Sequence, residues 1–285
     1  MFPLEKKVDA FPPCLQIEPT SVCNYRCVFC YQVDKDFTNP RSGHMGSMTF
    51  ELFKILIDQA EGFCEAITLS SRGEPLMNRQ FEAMLDYAKG KFLALKINTN
   101  AWFLDEAKVH SILEAKPNTV VFSADAAHEP LYSRLRVNGN LDRVLKNIET
   151  FRSIQNRDYP DSSTITRVSG VKFLDEQNLN ELESLWRGMV DQVAFVQYNP
   201  WENTYDKPIN DIDAPCTDLW RRMFVWWDGR VNPCDIDYKS TLSVGNANCQ
   251  KLSDIWTGEK YQALRTAHIS GKRKMLAPCN QCTFV

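Results

Sequence analysis

Long hydrophobic runs are missing from this sequence. Its longest apolar stretches are short, such as FVWW at 224–227 and TVVFSA at 119–124, far below the roughly 20 apolar residues that span a bilayer. The opening MFPLEKKVDAFPP has no apolar core of signal-peptide length. No membrane association is expected, and a cytoplasmic location is, where thiols stay reduced. An excess of one charge is also missing: 33 Lys and Arg face 36 Asp and Glu, a formal charge of −3. That balance offers no broad attraction to nucleic acid. Histidine is scarce; the four (44, 110, 128 and 268) show no metal-ligand spacing and are expected as surface or packing residues. There are no internal repeats and no low-complexity segments. With 285 residues, 44% hydrophobic and 24% charged, the composition is that of a folded globular chain, which excludes disorder, collagen and coiled coil.

What is present is an alternating pattern. Strand-like segments are CLQIEPT (14–20), AITLSS (66–71), LALKINTN (93–100), TVVFSAD (119–125), STITRVSG (163–170) and QVAFVQYN (192–199). Helical patterns lie between them: MTFELFKILIDQAEG opening at Thr49, RQFEAMLDYAKG ending on Gly90, LDEAKVHSILEA, LDRVLKNIETFRSI and EQNLNELESLWRGMV. Strands separated by helical crossovers pair in parallel. Six units are too few to close an eight-stranded barrel, so the expected fold is α/β, a partial (β/α)6 TIM-like barrel. Residues 1–205 form this domain, and a small extension occupies 206–285. Within the extension, 200–215 reads as a linker, MFVWW-DG-RVNPC as a hairpin turning at Asp228–Gly229, and LSDIWTGEKYQALRTAH as one helix. So small a tail needs a staple.

Ten cysteines are many for such a chain. Cys14 and Cys64 stand alone among apolar residues and read as small buried hydrophobes. Cys23, Cys27 and Cys30 form C-x3-C-x2-C, written CNYRCVFC, directly after the first strand. A loop there sits at the C-terminal mouth of a barrel, where sites of this architecture lie. Three thiolates can hold three irons of a [4Fe–4S] cluster and leave the fourth open to a small molecule. Zinc is the rival, although a structural zinc site usually takes four protein ligands. Cys216, Cys234, Cys279 and Cys282 offer four thiolates, enough for a complete second cluster or for a zinc ion.

The motif CNYRCVFC resembles C-x3-C-x-aromatic-C of the radical S-adenosylmethionine (SAM) enzymes, with Phe29 as the aromatic. The resemblance runs over roughly 14–200. SRGEP at 71–75 is similar to the family's GGEP motif, with Arg72 in place of the first Gly. In the family this segment holds the SAM amino group, which implies cofactor contacts at Gly73, Glu74 and Pro75; Glu74 supplies the charge that matches an ammonium. The resemblance further implies ribose contacts from Asn98 and Asn100 in NTN and from Ser123 and Asp125. Capping and turn chemistry is the other reading of those four residues. Arg134, Arg136 and Arg167 are candidates for the SAM carboxylate. The chemistry implied is one-electron cleavage of SAM to a 5′-deoxyadenosyl radical, which abstracts a substrate hydrogen. Reduced flavodoxin or ferredoxin is the implied electron donor.

The C-terminal pattern PC-x17-C, then GN, IW and PC-x2-C resembles the SPASM/Twitch extensions of this family. It implies one auxiliary cluster on Cys216, Cys234, Cys279 and Cys282, hence two [4Fe–4S] clusters in all. The spacing is similar to that of a short Twitch enzyme of butirosin biosynthesis that oxidises an aminocyclitol alcohol. Asp235 directly follows Cys234. In related sulfatase-maturating enzymes an Asp so placed accepts a proton during oxidation, a task that needs only a nearby carboxylate; Asp237 is a weaker candidate, and turn chemistry is the alternative for Asp235. Cys249 in GNANCQKL is a buried inert thiol, a replacement cluster ligand, or a hydrogen-atom donor of the kind radical epimerases use.

Three functions follow. The first is oxidation of an alcohol carbon in a small polar substrate such as a sugar, nucleotide sugar or aminocyclitol. Only 22 residues precede Cys23, and the expectation drawn from this is a small molecule rather than a ribosomal peptide. YNPWENTYD (198–206) either lines a sugar pocket or packs a linker onto the barrel. The second is epimerisation of a carbohydrate or peptide through Cys249. The third is a non-catalytic, zinc-stapled binding protein.

Overall fold

The computed structural model describes residues 9–206 and 210–284. Eleven strands are present: β1 (Cys14–Ile17), β2 (Arg26–Cys27), β3 (Ala66–Leu69), β4 (Ala94–Thr99), β5 (Thr119–Ser123), β6 (Arg136–Val137), β7 (Ile165–Lys172), β8 (Gln192–Gln197), β9 (Arg222–Val225), β10 (Arg230–Asn232) and β11 (Gly245–Asn246). The helices are α1 (Phe50–Ala60), α2 (Phe81–Ala88), α3 (Glu106–Glu114), α4 (Leu131–Leu135), α5 (Leu141–Asp158), α6 (Leu179–Trp186), α7 (Asn203–Asp206), α8 (Asp218–Arg221), α9 (Leu252–Thr257) and α10 (Glu259–Ile269).

Strands β1, β3, β4, β5, β7 and β8 pair in that order, all parallel. These are the six strands expected from the alternating pattern, and the fold is α/β with a mostly parallel sheet. Helix α1 starts where Thr49 caps it, the hydroxyl accepting from Leu52 N at 3.2 Å. Gly90 follows α2 at φ +72°, a conformation that disfavours a Cβ. Each strand alternates. Leu95, Ile97 and Thr99 of β4 are buried while Lys96 and Asn98 are half-buried on the opposite face. The first face packs on the helices: Ile17, Leu69, Ile97, Val120, Phe122 and Val168 meet Phe53, Leu56, Met84, Ile112, Ile148 and Phe151 in one apolar core. Each such side chain contributes about 1.5–3 kcal/mol by leaving water. The second face lines the lumen.

The C-terminal segment continues the same sheet. β9 pairs in parallel with β1, and β10 and β11 follow antiparallel. The β9–β10 hairpin turns through Gly229 at φ +83°. Part of the stretch expected as linker forms α7; residues 207–209 lie outside those described. The single helix expected over 252–268 is two, α9 and α10. Gly258 breaks it: its backbone is extended (ψ 165°), and a Cβ there would sit 2.6 Å from the Asp254 carbonyl oxygen.

Candidate active site

The candidate ligand cysteines fall into two groups. The first hangs on the loop after β1. Cys27 is fixed by pairing of β2 with β6, opposite Arg136, and Cys30 N donates to Cys27 O at 3.0 Å. The Gln32 amide staples this loop to the SRGEP loop, donating to Ser21 O (2.8 Å) and Arg72 O (2.5 Å). Burial raises all three thiols and mutual proximity adds to the shift of Cys23 and Cys27; Cys23 is pushed up to about 12 by burial and by Glu74. Thiols so buried need a positive partner to ionise, which bound iron would supply.

Gly73 lies hard against that loop. A Cβ there would sit 2.4 Å from Thr20 O and 2.5 Å from Val22 O, so only glycine fits. Glu74 is buried and pinned: it accepts from Thr99 Oγ1 (2.6 Å), Asn100 N (2.7 Å) and Leu76 N (3.2 Å). Burial raises its pKa to about 7 against these donors. Pro75 opens a short 3-10 turn directly after it. Asn100 is committed to the protein, donating to Asn24 Oδ1 (2.9 Å) and accepting from Trp102 N (3.0 Å). Asn98 differs: its Oδ1 is buried without a partner, an acceptor left over for a ligand. Ser123 is half-buried at the end of β5. Asp125 is fully buried. One of its oxygens accepts from Val171 N at 2.6 Å and the other lies 2.5 Å from Arg136 Nε, an ion pair out of hydrogen-bond alignment.

Of the three arginine candidates, Arg134 forms an exposed ion pair with Glu176, and Arg167 donates to Gln192. Arg136 is the interior one. It sits between Asp125 and Cys27 Sγ (3.9 Å), with the Phe29 ring 5.7 Å away. Burial opposes its charge, but Asp125 and Cys27 hold it firmly protonated.

The second group is assembled from distant segments. Cys216, Cys234, Cys279 and Cys282 line one cavity of about 290 Å³ together with Asp218, Arg222, Asp235, His268 and Arg273. Buried Arg273 shapes it by donating to the carbonyls of Cys279 (3.1 Å), Ala214 (2.8 Å), Cys282 (2.8 Å) and Phe284 (2.7 Å). Burial raises all four thiols, Cys216 to about 11 and Cys279 to about 12. Among the described residues no three His, Cys, Asp or Glu side chains converge tightly enough to hold a single metal ion. Four thiols spread over one cavity wall are a donor set fit for a cluster.

Asp235 reaches this cavity. Burial and the Asp218 carboxylate raise its pKa, while Arg222 and Gln16 draw it back. Asp237 does not reach it: fully buried, it accepts from Thr241 N and Oγ1, Leu242 N, Asn232 Nδ2 and Tyr205 Oη, so it is a turn carboxylate. Cys249 is exposed beyond β11, its thiol 3.6 Å from Asn246 O, and is not among the cavity-lining residues. The buried-thiol reading of Cys249 therefore fails, because its segment lies at the open edge of the sheet. The 198–206 segment packs rather than standing free: Tyr198 meets Phe173, and Trp201 and Tyr205 meet Tyr238.

Sequence reasoning missed the roles of two residues. His268 lines the cysteine cavity, accepting from Cys216 N at 3.2 Å; burial and Arg273 push its pKa down to about 4. Arg72, standing where the family motif has glycine, is fully buried against Glu18. The departure from GGEP was the one signal for it.

Comparison with known proteins identifies the family. A model of the radical SAM superfamily matches residues 17–185, and a model of an iron–sulfur cluster-binding domain matches 216–283. The chain belongs to the radical SAM superfamily and is an enzyme of that superfamily with a C-terminal SPASM domain. These two domains imply SAM and iron–sulfur clusters as cofactors. Among its relatives, a Pyrococcus furiosus cofactor-modifying protein of the tungsten-containing aldehyde ferredoxin oxidoreductase is 23% identical, over 95% of this chain and 87% of that protein. Mycofactocin maturase of Mycolicibacterium smegmatis is 26% identical, over 60% of this chain and only 42% of that protein. Among solved structures, BtrN in complex with AdoMet and 2-DOIA superposes with a TM-score of 0.66 at 18% identity, over 96% of this chain and 93% of BtrN. At such identity the likeness is one of fold. No described helix is long and apolar enough to cross a membrane.

Proposed function

We propose that this enzyme oxidises an alcohol carbon of a small polar substrate, in the cytoplasm, with reduced flavodoxin or ferredoxin as its electron donor. The observation that carries the reading is Asp235: it lines the same cavity as the four C-terminal thiols, beside Gln16 of β1. On this reading two [4Fe–4S] clusters are held, one by Cys23, Cys27 and Cys30 and one by Cys216, Cys234, Cys279 and Cys282, with the domain boundary near residue 205. When bound, SAM and the clusters supply the hydrogen-abstracting radical and the electron sink.

The chain's own residues do the rest. Gly73 lets the SRGEP loop close on the cysteine loop. Asn98 offers a free acceptor, and Arg136 offers a cation beside Cys27. Phe29 and Asp125 hold Arg136 in place. Asp235 takes the hydroxyl proton as the carbon is oxidised, the role of a positioned general base. Pro75 and Asn100 hold the loops beside Glu74, and Ser123 stands half-buried at the end of β5 as a further cofactor contact.

Asp235→Asn tests the reading. Oxidised product should fall by about 10²–10⁴-fold, the usual worth of a general base, with iron content unchanged. In deuterated water, oxidation leaves no solvent deuterium at the reacting carbon and consumes one SAM per product. One solvent deuterium in the product would instead establish epimerisation. Cys249 supports that alternative poorly, since it is exposed and outside the cavity lining.

A further inference from the structure

The lumen of the barrel carries cations that the proposed chemistry does not use. Lys96 lies on the inward face of β4, Arg167 on that of β7 and Arg222 at the start of β9. Strand register sets Arg167 level with Asn98, through Val121 of β5. Lys96 lies one inward-facing position below Asn98, level with Thr68 of β3 and Gln16 of β1. All three cations are half-buried. Among the described residues, no carboxylate lies within ion-pair distance of Lys96, Arg167 or Arg222, and Lys96 has no hydrogen-bond partner. Arg167 donates to the neutral Gln192 (2.8 Å), and Arg222 to the neutral Gln16 (3.4 Å).

Isolated buried cations are costly unless something pairs with them. Burial first, then the charges of Arg167 and Arg222, depress the Lys96 pKa. Asp218 and Asp235 both face Arg222. Arg222 also lines the cysteine cavity, where Asp235 lies.

We propose that Lys96 and Arg167, with Arg222 at the cavity end, bind an oxyanion of the substrate, a phosphate or carboxylate group carried by the same hydroxylated molecule. This rests on the alcohol-oxidation reading for the identity of the rest of the molecule. It narrows the substrate class: sugar phosphates, nucleotide sugars and sugar acids fit, whereas an aminocyclitol brings an ammonium against three cations. Bidentate guanidinium–oxyanion pairing gives Arg167 an orienting role that a lysine lacks.

The test is calorimetric titration of the anaerobically reconstituted enzyme with SAM bound, using glucose 6-phosphate, gluconate, glucose and glucosamine. At least one anion should bind tenfold or more tightly than glucose, weaken as salt rises, and lose that advantage in Lys96→Gln/Arg167→Gln. Preference for glucose 6-phosphate identifies a phosphate; preference for gluconate identifies a carboxylate. Lys96→Arg should keep the advantage, and iron content and melting temperature of each variant report on folding. Glucosamine binding as tightly as either anion, no binding by either anion, or equal binding by wild type and the double variant overturns the proposal. Because the readout is binding, it stands apart from the oxidation reading, which fails separately if no substrate yields a dehydrogenated product.

Discussion

The Arg72 guanidinium clasps the Glu18 carboxylate with two hydrogen bonds of 2.6 Å, and both side chains are fully buried. The pair joins the end of β1 to the SRGEP loop. Arg72 also donates to Tyr238 O at 2.8 Å and stacks over the Trp226 ring at 4.2 Å, so the C-terminal segment is locked to the loop beside the first cysteine group. Trp227 N completes the knot by donating to Glu18 at 3.2 Å.

Breaking one half of that pair strands a buried charge. Arg72→Met is expected to cost about 3–5 kcal/mol, whereas Glu18→Leu/Arg72→Met, which removes both charges, costs less than the single change. Urea denaturation of the three proteins, read as midpoint and slope, checks this. A double variant less stable than Arg72→Met would show that the pair's hydrogen bonds to Trp227 N and Tyr238 O outweigh its desolvation.

Glu74 gives a pH dependence with a definite sign. Its carboxyl is raised in the folded chain from 4.5 to about 7, by burial first, against the pull of its Asn100, Thr99 and Leu76 donors and of Arg136. A folded pKa above the unfolded one favours the protonated fold. The contribution is fully present below pH 4.5 and is lost as pH rises through 7. At full ionisation it amounts to roughly 3 kcal/mol. Cluster-free wild type should therefore lose melting temperature between pH 5 and pH 8 relative to Glu74→Gln. Parallel melting curves for the two proteins across that range would refute the assignment.

Iron counts distinguish the two cysteine groups. The anaerobically reconstituted chain should hold about eight irons, and Cys23→Ala/Cys27→Ala/Cys30→Ala about four. Replacing Cys279 and Cys282 by Ala should likewise leave about four, with the SAM-responsive signal retained in electron paramagnetic resonance. Iron near zero with stoichiometric zinc in wild type would overturn the assignment of both cysteine groups to clusters. About four irons, all lost in the triple variant, would mean that the C-terminal thiols hold no cluster.

Much of this protein was determined by local sequence. Period-two and period-3.6 patterns reflect which face of each element meets the core, so the six parallel strands and their helices were legible without coordinates. The spacing of Cys23, Cys27 and Cys30 was legible as a motif because all three lie on one short loop after β1. Tertiary structure alone decided the rest. Whether Arg136 or Arg134 faces inward depends on β6 pairing with β2. Asp235 and Asp237 look alike in sequence, but Asp237 is taken up by donors from Thr241, Leu242, Asn232 and Tyr205, whereas Asp235 lines the cavity. Gly258 breaks a helix that periodicity runs straight through. Cys216, Cys234, Cys279, Cys282 and His268 line one cavity, and Arg273 fixes the last segment there by its carbonyls. Such meetings depend on long-range closure, which a one-dimensional pattern does not encode.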